Sequence, residues 1–193
     1  MAIKRRGERV ENEGSSDFQN LEAGEYEGRL RYVADLGMQA REYKGEEKPP
    51  AQQLSLGIEI IGQEIQTEEG LVPRLMWTRP FNVFFEMTER GKEFQLYRVF
   101  DSSAKEGEVA DWDSVLDTPC AVNVVNVKGS GENSGNTYDN IDTITPIPAK
   151  YRKDVEDGLI TDSCTGDADD EDNPAQKAMF GLAQYVFDRR LGG

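Results

Sequence analysis

Apolar and polar residues alternate through much of the first half of the chain. In "QLSLGIEII" (53–61), Leu54, Leu56, Ile58 and Ile60 take one parity. Gln53, Ser55, Gly57 and Glu59 take the other, the pattern of a strand with one face on a core. "GEYEGRLRYVADLGMQAREY" (24–43) predicts a long strand with Tyr26, Leu30 and Tyr32 on one side and Glu27, Arg29 and Arg31 on the other. Gly28 and Gly37 leave room in it for a bend or a bulge. "YKGEEKPP" (43–50) reads as the loop between these two strands. A third strand is expected within "LVPRLMWTRPFNVFF" (71–85). If it is continuous, Trp77, Arg79 and Phe81 share one face, and Met76 and Thr78 the other.

The period then changes. "TERGKEFQLYRVFDSSAKEG" (88–107) sets Phe94, Tyr97 and Val99 or Phe100 at helical spacing, with Thr88 as the candidate N-cap. "DWDSVLD" (111–117) suits a short helix or turn. Two further strands follow, "TPCAVNVVNVKG" (118–129) and "NTYDNIDTITPIP" (136–148), and the glycine-rich "GSGENSG" (129–135) reads as their hairpin loop. Near the end, "NPAQKAMFGLAQYVFDRRLGG" predicts a helix with Pro174 in its first turn. Three strands, a helix and two strands is the layout of a five-stranded OB-fold, a mainly β barrel. A small α+β sandwich shares part of the pattern. The expected organisation is a basic arm over 1–20, an OB-fold domain over 21–150, an acidic linker over 151–173 and a C-terminal helical segment over 174–193.

Composition removes several function classes. The 193 residues include no histidine, which excludes Ser-His-Asp and Cys-His catalysis and the usual zinc sites. No GxxxxGK[ST] or GxGxxG motif follows a strand. Carboxylates are abundant, but no pair stands out from a charged surface, so neither an enzyme nor a cofactor or metal is expected. No apolar run reaches membrane-spanning length, and "MAIKRRGERVENEG" lacks the apolar stretch of a secretory signal. Cys120 and Cys164 lie far apart in dissimilar contexts, which suits a reduced cytosolic protein. The net charge of −15 at first argues against nucleic acid. Its distribution changes that picture: nine of the 37 acids fall within 154–172, a stretch without a base. Such a block is expected to be a solvated, disordered interaction tail.

Four stretches together resemble a known family: "LEAGEYEGRLRYVADLGMQAREYKGEEKPPAQQLSLGIEI", "PRLMWTRPF", "DTPCAVNVVNVKG" and "TYDNIDTITPIP". Their order is similar to that of tailed-bacteriophage proteins with a "GxYxxRxxxVxDLGxQ" strand, a "WKGxxKPP" loop and two later strands rich in Val and Ile. Tyr43 stands where that family commonly has Trp, and Asp117 where it commonly has Gly. The resemblance implies an OB-fold single-stranded DNA-binding protein of phage replication and recombination, acting in the cytoplasm of the infected bacterial host. It also implies phage or host replication and recombination proteins as partners of the acidic C-terminal region. A second copy of the chain is a further candidate partner.

Binding single strands needs aromatic rings for stacking and cations for phosphates. Trp77 and Arg79 supply both if they share an outer face; the alternative is a core Trp with Arg79 at the rim. Arg29 and Arg31 form a basic parity on the first strand, and Arg74 adds a cation to the third. Tyr43, Lys44 and Lys48 make an aromatic and basic loop where OB-folds commonly touch ligand. Lys128 and Tyr138 flank the glycine-rich hairpin, the other loop of that kind. Cys120, after a proline in an apolar strand, reads as core.

Overall fold

The computed structural model describes residues 20–67, 70–131 and 134–147, and the backbone of 164–167. The expected basic arm, most of the acidic segment and the C-terminal helix lie outside the described residues. The fold is mainly β, with one short helix. Six strands pair antiparallel: β1 (Gly24–Tyr43), β2 (Glu46–Thr67), β3 (Gly70–Trp77), β4 (Phe81–Asn82), β5 (Pro119–Lys128) and β6 (Thr137–Pro146). The main path through the sheet is β3-β2-β1-β5-β6. The expectation of a closed barrel is corrected: β3 and β6 form the two ends of this path and share no backbone ladder. Arg74 of β3 instead reaches Asp139 of β6 in a largely buried ion pair.

A seventh strand, β7 (Cys164–Asp167), runs parallel to β1 opposite Tyr32–Asp35. The sequence reading had this stretch inside a disordered tail. β1 therefore carries β2 along one edge, and along the other β5 (Gly24–Arg29) followed by β7. β2 divides its outer edge in the same way between β3 and β4.

Several local choices fix this arrangement. β1 and β2 are joined by Lys44-Gly45, both at positive φ (54° and 79°), a two-residue turn whose twist suits a hairpin. β1 slips register at three places, one of them at Arg31. There the strand's phase shifts, so Val33 joins Leu30 in the core while Tyr32 stays on the same side as Arg29. Gly37 sits at a second slip with φ of 66°, its N–H donating to Asp35 Oδ1.

The third strand is shorter than its apolar run suggested. Thr78 closes it: its N–H donates to the Leu56 carbonyl, its Oγ1 accepts the Leu56 N–H, and its carbonyl accepts the Ser55 hydroxyl. Pro80 has no N–H to continue the ladder. Trp77, Arg79 and Phe81 therefore do not share a face: Trp77 ends β3, Arg79 is exposed in the connection, and Phe81 is core.

The helix α1 (Lys92–Phe100) is also shorter than expected and begins after Gly91, with no side-chain cap from Thr88. Phe94, Tyr97 and Phe100 are buried, as their spacing indicated. Trp112 lies among Phe81, Tyr97 and Phe100 and donates its indole N–H to the buried Glu93 carboxylate (3.5 Å). Burial pushes the Glu93 pKa up against that bond. Cys120 is a free, buried thiol whose pKa is pushed up to about 12 by burial.

Candidate nucleic-acid interface

The outer face of the central sheet is not the solvated basic track that parity alone indicated. Arg29 is fully buried and bonds Glu59 (3.1 Å) and Asp117 (3.0 Å). Arg31 is also buried and donates to the same Glu59 oxygen at 2.6 Å. Burial lowers the Arg31 pKa, but the Tyr32 hydroxyl and Glu59 outweigh that effect and leave it raised. Arg74 has the inward parity of Met76 and is spent on Asp139. The expectation that these three arginines face phosphates is corrected. Each is buried and already neutralised by an internal carboxylate.

Trp77 occupies the same outer face. In β1, β2 and β3, Tyr32, Gly57 and Trp77 stand in one cross-strand row. The indole lies across Gly57 and stacks on Tyr32, with centroids 6.2 Å apart and planes 15° off parallel. A Cβ on Gly57 would sit 3.0 Å from the indole ring, so any other residue requires the ring to give way by a few tenths of an ångström. Trp77 is half-buried and outside the core cluster, and its indole N–H is buried without a partner among the described residues.

The remaining sites lie at strand ends. The two-residue turn pairs Tyr43 with Glu46, Glu42 with Glu47 and Arg41 with Lys48. Backbone alternation then puts Arg41, Tyr43, Glu46 and Lys48 on one face of the hairpin and Glu42 and Glu47 on the other. Arg41, Glu42, Tyr43, Lys48 and Pro49, with Gln53 and Asn82 behind them, line an open cleft of about 510 Å³. Tyr43 is 61% exposed, with the Lys44 ammonium 5.3 Å from its ring centroid. Lys48 is shared with Glu46 at 2.8 Å.

Lys128 and Tyr138 are exposed at the base of the β5–β6 hairpin. That hairpin closes through Gly129 N–H to the Asn136 carbonyl, as the glycine-rich loop indicated. It projects beyond the N-terminal end of β1, whereas the Lys44-Gly45 turn is at the C-terminal end. Arg79 faces a smaller cleft of about 210 Å³ at the β3–β6 seam, with Lys92 of α1, Asn140 and Asp142. The structure thus joins Arg29, Arg31 and Trp77 on one face and Tyr43, Lys44 and Lys48 at one tip, while Arg74, Arg79 and the Lys128–Tyr138 pair stand elsewhere.

Sequence reasoning missed Arg41, Lys92, Phe84 and Phe85. A signal for Arg41 existed: reading Lys44-Gly45 as a two-residue turn places residue 41 opposite residue 48. Among the described residues, no cluster of three or more Cys, Asp or Glu side chains is placed to hold a metal ion. No described helix is long and apolar enough to cross a membrane. No protein-family model matches this chain, and no curated protein does either.

Proposed function

We propose that the protein is a non-enzymatic, sequence-tolerant single-stranded DNA-binding protein of phage replication and recombination, built on an OB-like sheet and working in the infected bacterial cytoplasm. The face of the β1–β2 hairpin carries this reading. It gathers the exposed Tyr43 ring with Arg41 and Lys48 on one open cleft, whose lining holds a single carboxylate, Glu42. Stacking surface beside cations is what an unpaired strand needs. An OB-fold is a five-stranded, partly open barrel. A five-strand path with α1 between β3 and β5, and an ion pair across the β3–β6 seam, suits that class. The acid-rich segment after β6 supplies the surface for replication partners.

Titration of labelled oligo-dT at several salt concentrations, with duplex as competitor, tests the reading. The single strand is expected to bind more tightly than the duplex. If Arg41, Lys44 and Lys48 each neutralise one phosphate, log K falls with log salt at a slope of about −2. Equal or tighter binding of duplex overturns the proposal. A second reading is favoured by the internal pairing of Arg29, Arg31 and Arg74, which leaves the net charge strongly negative. In it the protein is an acidic interaction protein, a DNA mimic or assembly factor, and the same titration gives no binding to either DNA.

A further inference from the structure

The segment leaving β4 exposes two adjacent phenylalanines, Phe84 at 56% and Phe85 at 84%. Its backbone is held on both sides of them. The Val83 N–H donates to the Gln52 carbonyl (2.9 Å). On the far side Met87 is core, its N–H bonded to the Glu108 carbonyl (2.8 Å) and its carbonyl accepting the Gly107 N–H (2.9 Å). Two large apolar rings are thus displayed by an anchored turn.

Their position indicates what they meet. β4 runs antiparallel to β2, with Asn82 opposite Gln53 and Val83 bonded to Gln52. The chain beyond Val83 therefore heads along β2 toward Pro50 and Pro49, the end that carries the Lys44-Gly45 turn. Asn82, Gln53 and Pro49 are walls of the cleft that holds Arg41, Tyr43 and Lys48. We propose that Phe84 and Phe85 are a base-stacking pair that takes unpaired nucleobases of a strand whose phosphates lie on Arg41, Lys44 and Lys48. This rests on the DNA-binding reading above and adds a site to it. The two rings continue the line of β4 toward the cleft of Arg41 and Lys48, and rings followed by cations complement a polyanion carrying flat bases. A docking surface for an apolar protein partner would be a broader continuous patch.

The test uses the full chain with Phe84→Ala/Phe85→Ala and Phe84→Leu/Phe85→Leu, read by anisotropy of labelled oligo-dT. Two lost stacking contacts weaken the alanine variant about 30-fold or more. The leucine variant, apolar but without rings, loses most of the same affinity. An oligomer of abasic sites binds wild type and both variants alike. Melting temperatures stay within a few degrees of wild type, because both rings are exposed. If wild type binds oligo-dT and the alanine variant binds it equally well, the stacking pair is overturned while the DNA-binding reading stands. Wild-type affinity in the leucine variant with loss in the alanine variant also overturns it, in favour of a plain apolar contact. Failure of wild type to bind any single strand removes both.

Discussion

Glu59 holds two guanidiniums away from water. One oxygen accepts from Arg29 and Arg31, and Asp117 takes the other side of Arg29. Breaking such a group from one side leaves charge buried without a partner, which costs more than the intact group contributes. Glu59→Ala is expected to lose about 3–5 kcal/mol in chemical denaturation. A loss within about 0.5 kcal/mol would show the guanidiniums reaching water instead. Asp117 has a second burden, a φ of 62°, which aspartate tolerates better than most residues. Its side chain also serves Arg29. None of this was legible locally. Alternation correctly put Arg29 and Arg31 on the face opposite Leu30, but their partners lie 28 to 88 residues away along the chain. Parity reveals which side a charge takes and not which acid arrives there.

At the scale of elements, β1, β2, β5 and β6 were readable, while strand ends, the break between β3 and β4, and β7 were not. The alternating run of β2 gave its core face, and Leu56, Ile58 and Ile60 are buried. The reading failed where a side chain intervened: Thr78 took over the ladder and ended β3 early, and the slip at Arg31 moved Tyr32 to the outer face. That slip is what lets Tyr32 meet Trp77 across Gly57. The contact sets the sign of a substitution. In an open strand position, Gly→Ala stabilises by about 0.4–1 kcal/mol through the unfolded chain. Here the added Cβ meets the indole at 3.0 Å, so Gly57→Ala is expected to destabilise by about 1–3 kcal/mol. It also shifts the Trp77 emission, while Trp112, in the core, keeps its own signal. A neutral or stabilising effect with unchanged emission would place the indole elsewhere.

At the scale of the molecule, β1 organises the sheet, because every strand except β3, β4 and β6 pairs with it. The acid-rich stretch joins this scheme through its backbone. Its four described residues lie along β1 at Tyr32–Asp35, one residue past Arg31 and on the strand whose Tyr32 supports Trp77. The charge of that stretch was legible and its docking was not, because composition describes solvation and says nothing of a free strand edge. On the proposed function, two forces hold the segment on the strand that carries the DNA-binding hairpin: backbone pairing, insensitive to salt, and charge attraction, which salt screens over about 10 Å at 0.1 M. They can be separated. Deleting residues 154–193 removes both. Thr165→Pro with Gly166→Pro removes only the pairing, since successive N–H groups of a strand point to opposite edges and one of these two faces β1. Both variants are expected to bind oligo-dT more tightly than wild type at low salt. The gain from the deletion shrinks as salt rises. The sheet stays folded, because β1 keeps β2 and β5. If the proline pair binds as wild type while the deletion binds more tightly, the acids compete by charge alone and the β7 ladder has no part in the restraint. If the deletion unfolds the protein, the segment belongs to the sheet's structural support, and the competition model is wrong.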